Sequence, residues 1–169
     1  MLGTLLNNLP RDIAFTYGEY GKPRVHVTES DPPLNFSISH SSDLAIFAVA
    51  TEAEVGVDLE DAGQLPEDDE NLLALAAGVL SAGELKAWRE LPEAQARRSA
   101  FLRAWTRKEA LLKANGRGVS QSMAEVELPI GSAHALAAFT VASLGVTWEI
   151  YDLAAPPTFF SALAVERQI

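Results

Sequence analysis

One long helical segment set among short alternating ones constrains this chain more than any other feature. No proline or glycine interrupts residues 93–115; Pro92 stands just before them, and Gly116 and Gly118 follow. Proline is favoured in the first turn of a helix and glycine ends one in the left-handed region, so the spacing predicts one helix from about Glu93 to Asn115. Around it lie short runs that read as strands: Leu34–Ser39, Leu44–Ala50, Val55–Glu60, Ala124–Pro129, Ala135–Ser143, Thr147–Asp152 and Phe159–Val165. Gly131, Gly145 and Pro156-Pro157 separate the last four, which suggests a meander of three or four antiparallel strands. His40-Ser41-Ser42-Asp43 reads as a polar hairpin loop, Asp12–Tyr17 as a strand, Gly18–Pro23 as a turn, and residues 1–10 as the tail of a helix ended by Pro10. Asn71–Leu80 reads as a short helix, and Ser81 with Glu84 forms a capping box for a further one reaching Leu91. Strands grouped around one long helix indicate an α+β fold, not a doubly wound parallel sheet.

Composition narrows the function. The 169 residues are 48% hydrophobic and 21% charged, enough for one domain or two small lobes sharing a core. Thirteen Lys and Arg against 23 Asp and Glu give a net charge of −10, which argues against a nucleic-acid partner. Cysteine is absent, which excludes disulfides, thiolate zinc sites and cysteine nucleophiles and fits a reducing compartment. No run of 18 apolar residues occurs and MLGTLLNNLPRD lacks a basic n-region, so no membrane span or signal peptide is expected and the chain reads as cytoplasmic. The acid is unevenly spread. Residues 52–93 hold twelve acids and two bases, whereas residues 97–117 hold seven bases (Arg97, Arg98, Arg103, Arg107, Lys108, Lys113, Arg117) and one acid, Glu109. That reversal fits either a solvated basic helix or a local anion site on an acidic protein.

Three places invite a chemical reading. Asp58 and Glu60, two apart on a strand, project from one face with Gly56 leaving space beside them; they are either a solvent-facing acidic strand end or a site for a hard cation such as Mg2+. On a helical wheel with Phe101 at 0°, Lys108 falls at about 340°, inside the arc of Leu111, Ala104, Leu112 and Trp105. A lysine there must snorkel out or meet an anion. Glu109 and Lys113 form an i,i+4 pair that a helix salt bridge explains as well as a functional role does. Asn35–Ser42 ends a strand in hydroxyls around His40, a polar turn or a phosphate contact. Other motifs fail. Gly18–Pro23 is too short for a Walker A loop and has Pro23 where a hydroxyl is needed, no Gly-x-Ser-x-Gly elbow occurs, and His26, His40 and His134 are scattered.

Taken in order, Gly21-Lys22-Pro23, Phe36-Ser37-Ile38-Ser39-His40-Ser41, Val55-Gly56-Val57-Asp58-Leu59-Glu60, and Trp105-Thr106-Arg107-Lys108-Glu109-Ala110-Leu111-Leu112-Lys113 followed by Gly116-Arg117-Gly118 resemble the 4'-phosphopantetheinyl transferases of the two-lobed, surfactin-synthetase-activating (Sfp) type. The resemblance implies a fold of two pseudo-symmetric lobes, each a small, mostly antiparallel sheet with a helix: residues 1–52 as an incomplete first lobe and 53–169 as the second. It implies transfer of the 4'-phosphopantetheine arm of coenzyme A to a serine of an acyl- or peptidyl-carrier protein, releasing adenosine 3',5'-bisphosphate. Asp58, Glu60 and Glu109 would hold Mg2+, Glu109 would be the base, and Lys113 would sit on a phosphate. Lys108 would line the coenzyme A cleft, and Lys22, Ser39 and His40 would contact nucleotide phosphates. Family members carry a further N-terminal helix with basic residues. The resemblance therefore also leaves room for a truncated relative that binds carrier protein or coenzyme A without transfer, and for a homodimer that covers the first lobe's apolar face. An aspartate-based phosphatase, with Asp58 as nucleophile, is disfavoured by the antiparallel pattern downstream and by Glu60 where a second aspartate is expected.

Overall fold

The structure, a computed structural model, describes residues 1–26, 34–116, 118, 122–130, 138–143 and 145–167, the last strand but two (138–143) by its backbone. Every strand pairs antiparallel, and the architecture is α+β. After a single turn of helix, α1 (Leu2–Leu5), come two separate hairpins: β1 (Phe15–Tyr17) with β2 (Pro23–Val25), and β3 (Asn35–Ser41) with β4 (Leu44–Ala50). Strand β5 (Val55–Asp61) opens a four-stranded sheet of order β5-β8-β7-β6, completed by β6 (Ala138–Ser143), β7 (Val146–Asp152) and β8 (Phe159–Glu166). Helices α2 (Asp69–Val79), α3 (Ala82–Arg89) and α4 (Ala94–Asn115) lie between β5 and β6 in sequence.

The long helix ends as expected, on Gly116 in the left-handed region at φ 72°. The Ser81–Glu84 capping box is present with both of its hydrogen bonds, at the start of α3. Helix α4 crosses the four-stranded sheet. Its Ala110, Leu111 and Ala114 share a core with Trp148, Ile150, Ala162 and Ala164. Its other apolar side meets Leu72, Ala76 and Val79 of α2 and Trp88 of α3. Gly56 does not leave open space beside the carboxylates. A Cβ there would overlap the main chain of Ala110 and Ala114, so this glycine is what lets α4 rest directly on β5.

Several elements differ from the sequence reading. Strand β5 is buried on both faces, because α4 covers Gly56 and Asp58 while Val55, Val57 and Leu59 are closed off on the other side. His40 and Ser41 belong to strand β3, and the turn shrinks to Ser42-Asp43, with Ser42 at φ 52°. Residues 124–129 form no strand. Met123–Glu125 is a 3-10 turn, and the alternation beyond it reflects Val126 and Leu128 entering the core while the Leu128 N–H donates to Glu84 instead of to a ladder. The predicted helical tail at the start reduces to α1 and a 3-10 turn at Pro10–Asp12, and β1 begins only at Phe15. Residues 135–137, Arg117 and His134 lie outside the described residues.

The join between β3 and β5 positions the site. The two strands belong to different sheets, and serine side chains link them. Ser37 Oγ accepts from the Val57 N–H at 3.0 Å, Ser41 Oγ accepts from the Asp61 N–H at 3.1 Å, and between them Ser39 Oγ donates to Asp58 Oδ1 at 2.9 Å. Residues two apart on a strand share a face, so NFSISHS aligns three hydroxyls along β5. At the tip, Ser42 donates to Asp61 Oδ2 at 2.7 Å and accepts from Gln64.

Candidate active site

Asp58 sits in the middle of β5, 2% exposed, with its side chain under the last turns of α4. Lys113 reaches down from α4 and donates to Asp58 Oδ1 at 2.6 Å and to Ser39 Oγ at 2.9 Å. Asp58 Oδ2 is buried with no hydrogen-bond partner among the described residues. Glu60 follows two residues on along the same face, and Glu109 lies one helical turn before Lys113. Burial pushes the carboxyl of Glu60 above its ordinary range, and the charge of Asp58 adds to that, with a smaller push from Glu109. Glu109 is raised in the same way by burial and then by Asp58, while Lys113 pulls it back in part. The three acids are therefore close enough to repel one another. Glu109 and Lys113, expected as a possible helix pair, make no direct salt bridge among the described residues; the ammonium goes to Asp58.

This set of groups suits a hard divalent ion. All the donors are carboxylate oxygens, and one buried oxygen has no partner. The mutual repulsion is the kind that a cation relieves. The described residues contain no group of three acidic or imidazole side chains already gathered as a metal cage. Mg2+ does not require one, since it takes one or two carboxylates and completes its octahedron with phosphate oxygens and water.

The remaining sequence candidates scatter. Lys108, on the apolar stripe, meets an anion as the wheel demanded, but the anion is Glu84 of the protein. Its Nζ donates to Glu84 Oε2 at 2.5 Å, Val79 O at 3.0 Å and Met123 O at 2.9 Å. It is 0% exposed, so it presents nothing to a cleft. Burial lowers its pKa, and Glu84 opposes that. Lys22 is similarly engaged. Its ammonium binds Glu54 at 2.7 Å and the Ala114 carbonyl at 2.7 Å, placing a cation at the negative end of α4. Ser39 faces Asp58, whereas His40 points to the opposite face of β3 and is exposed. A cleft of about 250 Å³ opens between the first hairpins and the end of α4, lined among others by Lys22, Phe36, Ile38, Leu112 and Lys113. Lys113 thus joins the cleft to the carboxylates.

The basic run of α4 is largely spent on internal pairs. Arg107 makes a two-pronged bond to Asp152 at 2.7 and 2.6 Å, Arg97 bonds the Leu91 carbonyl, and Lys108 and Lys113 are paired as above. Glu54, Glu84 and Asp152 are the acids that sequence reading missed as partners. Only Glu84 carried a local signal, its place in the capping box.

Comparison with known proteins places the chain in a family. The profile of the 4'-phosphopantetheinyl transferase superfamily matches residues 54–154, which contain Asp58, Glu60, Glu109 and Lys113. The chain belongs to that superfamily. HetI, a 4'-phosphopantetheinyl transferase of Nostoc sp., is 35% identical over 130 residues, covering 77% of this chain and 52% of the relative. AcpT, a 4'-phosphopantetheinyl transferase of Salmonella typhi, is 37% identical over 134 residues, covering 79% of this chain and 63% of the relative. The chain thus spans between about half and two-thirds of the length of these relatives. A holo-[acyl-carrier-protein] synthase structure from Thermotoga maritima superimposes at a TM-score of 0.46 and 19% identity, over 69% of this chain and 64% of that one.

Proposed function

We propose that this protein transfers the 4'-phosphopantetheine arm of coenzyme A to a serine hydroxyl of an acyl- or peptidyl-carrier protein, with Mg2+, releasing adenosine 3',5'-bisphosphate. The observation that carries this reading is Asp58: a buried carboxylate with one oxygen held by Lys113 and the other without a partner, flanked by two acids of raised pKa. Asp58 and Glu60, with Glu109 across from them on α4, would hold the ion. When bound, it would neutralise the diphosphate and polarise the phosphorus under attack.

The protein's own groups divide the remaining work. Glu109, whose raised pKa makes it a stronger base than an exposed glutamate, takes the proton of the carrier serine. The serine oxygen forms a bond to the phosphorus next to pantetheine. The bond from that phosphorus to the bridging oxygen breaks, and the bridging oxygen leaves with adenosine 3',5'-bisphosphate. Lys113, 31% exposed at the cleft, is placed to meet a phosphate oxygen of the departing group. His40 is the accessible group of its motif, while Lys22 and Lys108 are held by protein anions and stay out of the proposed ligand set. We take residues 1–52 and 53–169 as the two lobes, with coenzyme A in the cleft between them.

The test is to incubate the protein with coenzyme A, Mg2+ and an apo carrier protein and to weigh the carrier. A gain of one phosphopantetheine is the expected result. Binding of coenzyme A with no gain in carrier mass would establish the non-catalytic alternative.

A further inference from the structure

On the strength of the proposed transferase reading, we infer that Ser39 is a positioning residue for Asp58, one that turns Oδ1 toward Lys113 and Oδ2 toward the divalent ion, its hydroxyl proton being committed to that carboxylate. A serine hydroxyl has one proton to donate. Here that proton goes to Asp58 Oδ1 at 2.9 Å, and the Ser39 Oγ itself accepts from Lys113 Nζ at 2.9 Å. A phosphate offers acceptors, so a hydroxyl whose proton is already committed has nothing to give it. Ser39 is also 7% exposed, whereas its neighbour His40 lies open on the opposite face.

Two further features make this a built geometry. Ser37 and Ser41, two residues to either side, accept the Val57 and Asp61 N–H groups and so hold Ser39 in register opposite Asp58. Both donors, Ser39 and Lys113, converge on one carboxylate oxygen and leave the other buried without a partner among the described residues. A carboxylate fixed in this way presents one oxygen to an ion without a search through rotamers. Groups that orient metal ligands typically affect affinity by about 10–100-fold when removed.

The experiment uses Mn2+ as the probe. It is titrated into the metal-free protein by calorimetry or paramagnetic resonance, for the wild type and for Ser39→Ala, Ser39→Thr and Ser37→Ala. Coenzyme A affinity is measured separately in a chelator. The expected result is that Ser39→Ala weakens Mn2+ binding about 10–100-fold, that Ser39→Thr restores it to within a few-fold, and that coenzyme A affinity in the chelator does not change. Ser37→Ala breaks the same inter-strand join without touching the carboxylate and should leave Mn2+ affinity near the wild type. An equal loss in Ser37→Ala would assign the effect to strand docking and overturn the positioning role. So would unchanged Mn2+ affinity in Ser39→Ala, or a loss of coenzyme A binding in the chelator. A wild type that takes up no Mn2+ overturns the ion at Asp58 and this inference with it, while the carrier mass assay still decides transfer on its own.

Discussion

Two lysines on α4, five residues apart, each bind a buried carboxylate, and the two pairs are built oppositely. Around Lys108 every group is satisfied: its ammonium has three acceptors, and Glu84 also accepts from the Ser81 and Leu128 N–H groups at 2.7 and 2.6 Å. Neither side chain reaches solvent, at 0% and 1% exposure. Around Lys113 the network is half complete. The lysine is open to the cleft, one oxygen of Asp58 has no partner among the described residues, and two further acids press on it. A completed buried network secures a fold, whereas an incomplete one at a cleft is suited to a ligand that completes it. In this molecule the first ties α2, α3 and the 3-10 turn at Met123 to α4, and the second faces coenzyme A in the proposed reaction.

Substitutions can break or sharpen that contrast. The largest effect is expected at the open site. Glu109→Gln should lower transfer to the carrier by about 10²–10⁴-fold. The melting temperature of the metal-free protein should hold or rise, since the change removes a buried charge that faces Asp58. Unchanged turnover would take Glu109 out of the chemistry. Next comes the sealed pair: Lys108→Met should cost about 3–5 kcal/mol in urea unfolding, because Glu84 is left buried with its charge uncompensated. Lys113→Met, measured in a chelator, should cost less than half as much; equal losses would erase the distinction between the pairs. Gly56→Ala tests what both pairs share, the seat of α4 on β5. The added methyl forces the helix away, so unfolding free energy should fall by about 1–3 kcal/mol and transfer should fall with it.

The smallest effect concerns a third pair, Lys22 with Glu54, where Arg24 also binds the carboxylate. These two cations hold Glu54 below its ordinary pKa of 4.5, against the opposing pull of burial. A depressed carboxyl contributes stability above its unfolded pKa and loses it as pH falls through the folded value. Stability should therefore decline below about pH 4.5, and Glu54→Gln should flatten that decline in acid melting curves. Glu60 and Glu109 have the opposite sign. Their raised values mean that protonation favours the fold, so the open site should gain stability over the range just above pH 4.5 in which Glu54 still holds its full contribution.

Local signals were legible wherever local physics decides. Pro92 and Gly116 bound the long helix and Ser81 and Glu84 cap α3, because each rests on contacts within a few residues, while the alternation of Val55–Glu60 marks β5 although its ladder partner β8 lies at the far end of the chain. The candidate site was legible only as residue types: Asp58, Glu60, Glu109 and Lys113 feel one another's charge around the end of the long helix. Partnership was not. On the helical wheel, Lys108 and Lys113 differ by about 140° of rotation, and nothing in that angle says which lysine meets a protein acid in the interior and which opens to a cleft. Their partners lie 24 and 55 residues away in the chain. The tertiary structure decided it by packing α3 on one side of α4 and the serine-stitched strands β3 and β5 on the other. Charge pairing acts through space at a few ångströms, so the identity of the acids follows from the fold, while the need for them was already written in the sequence.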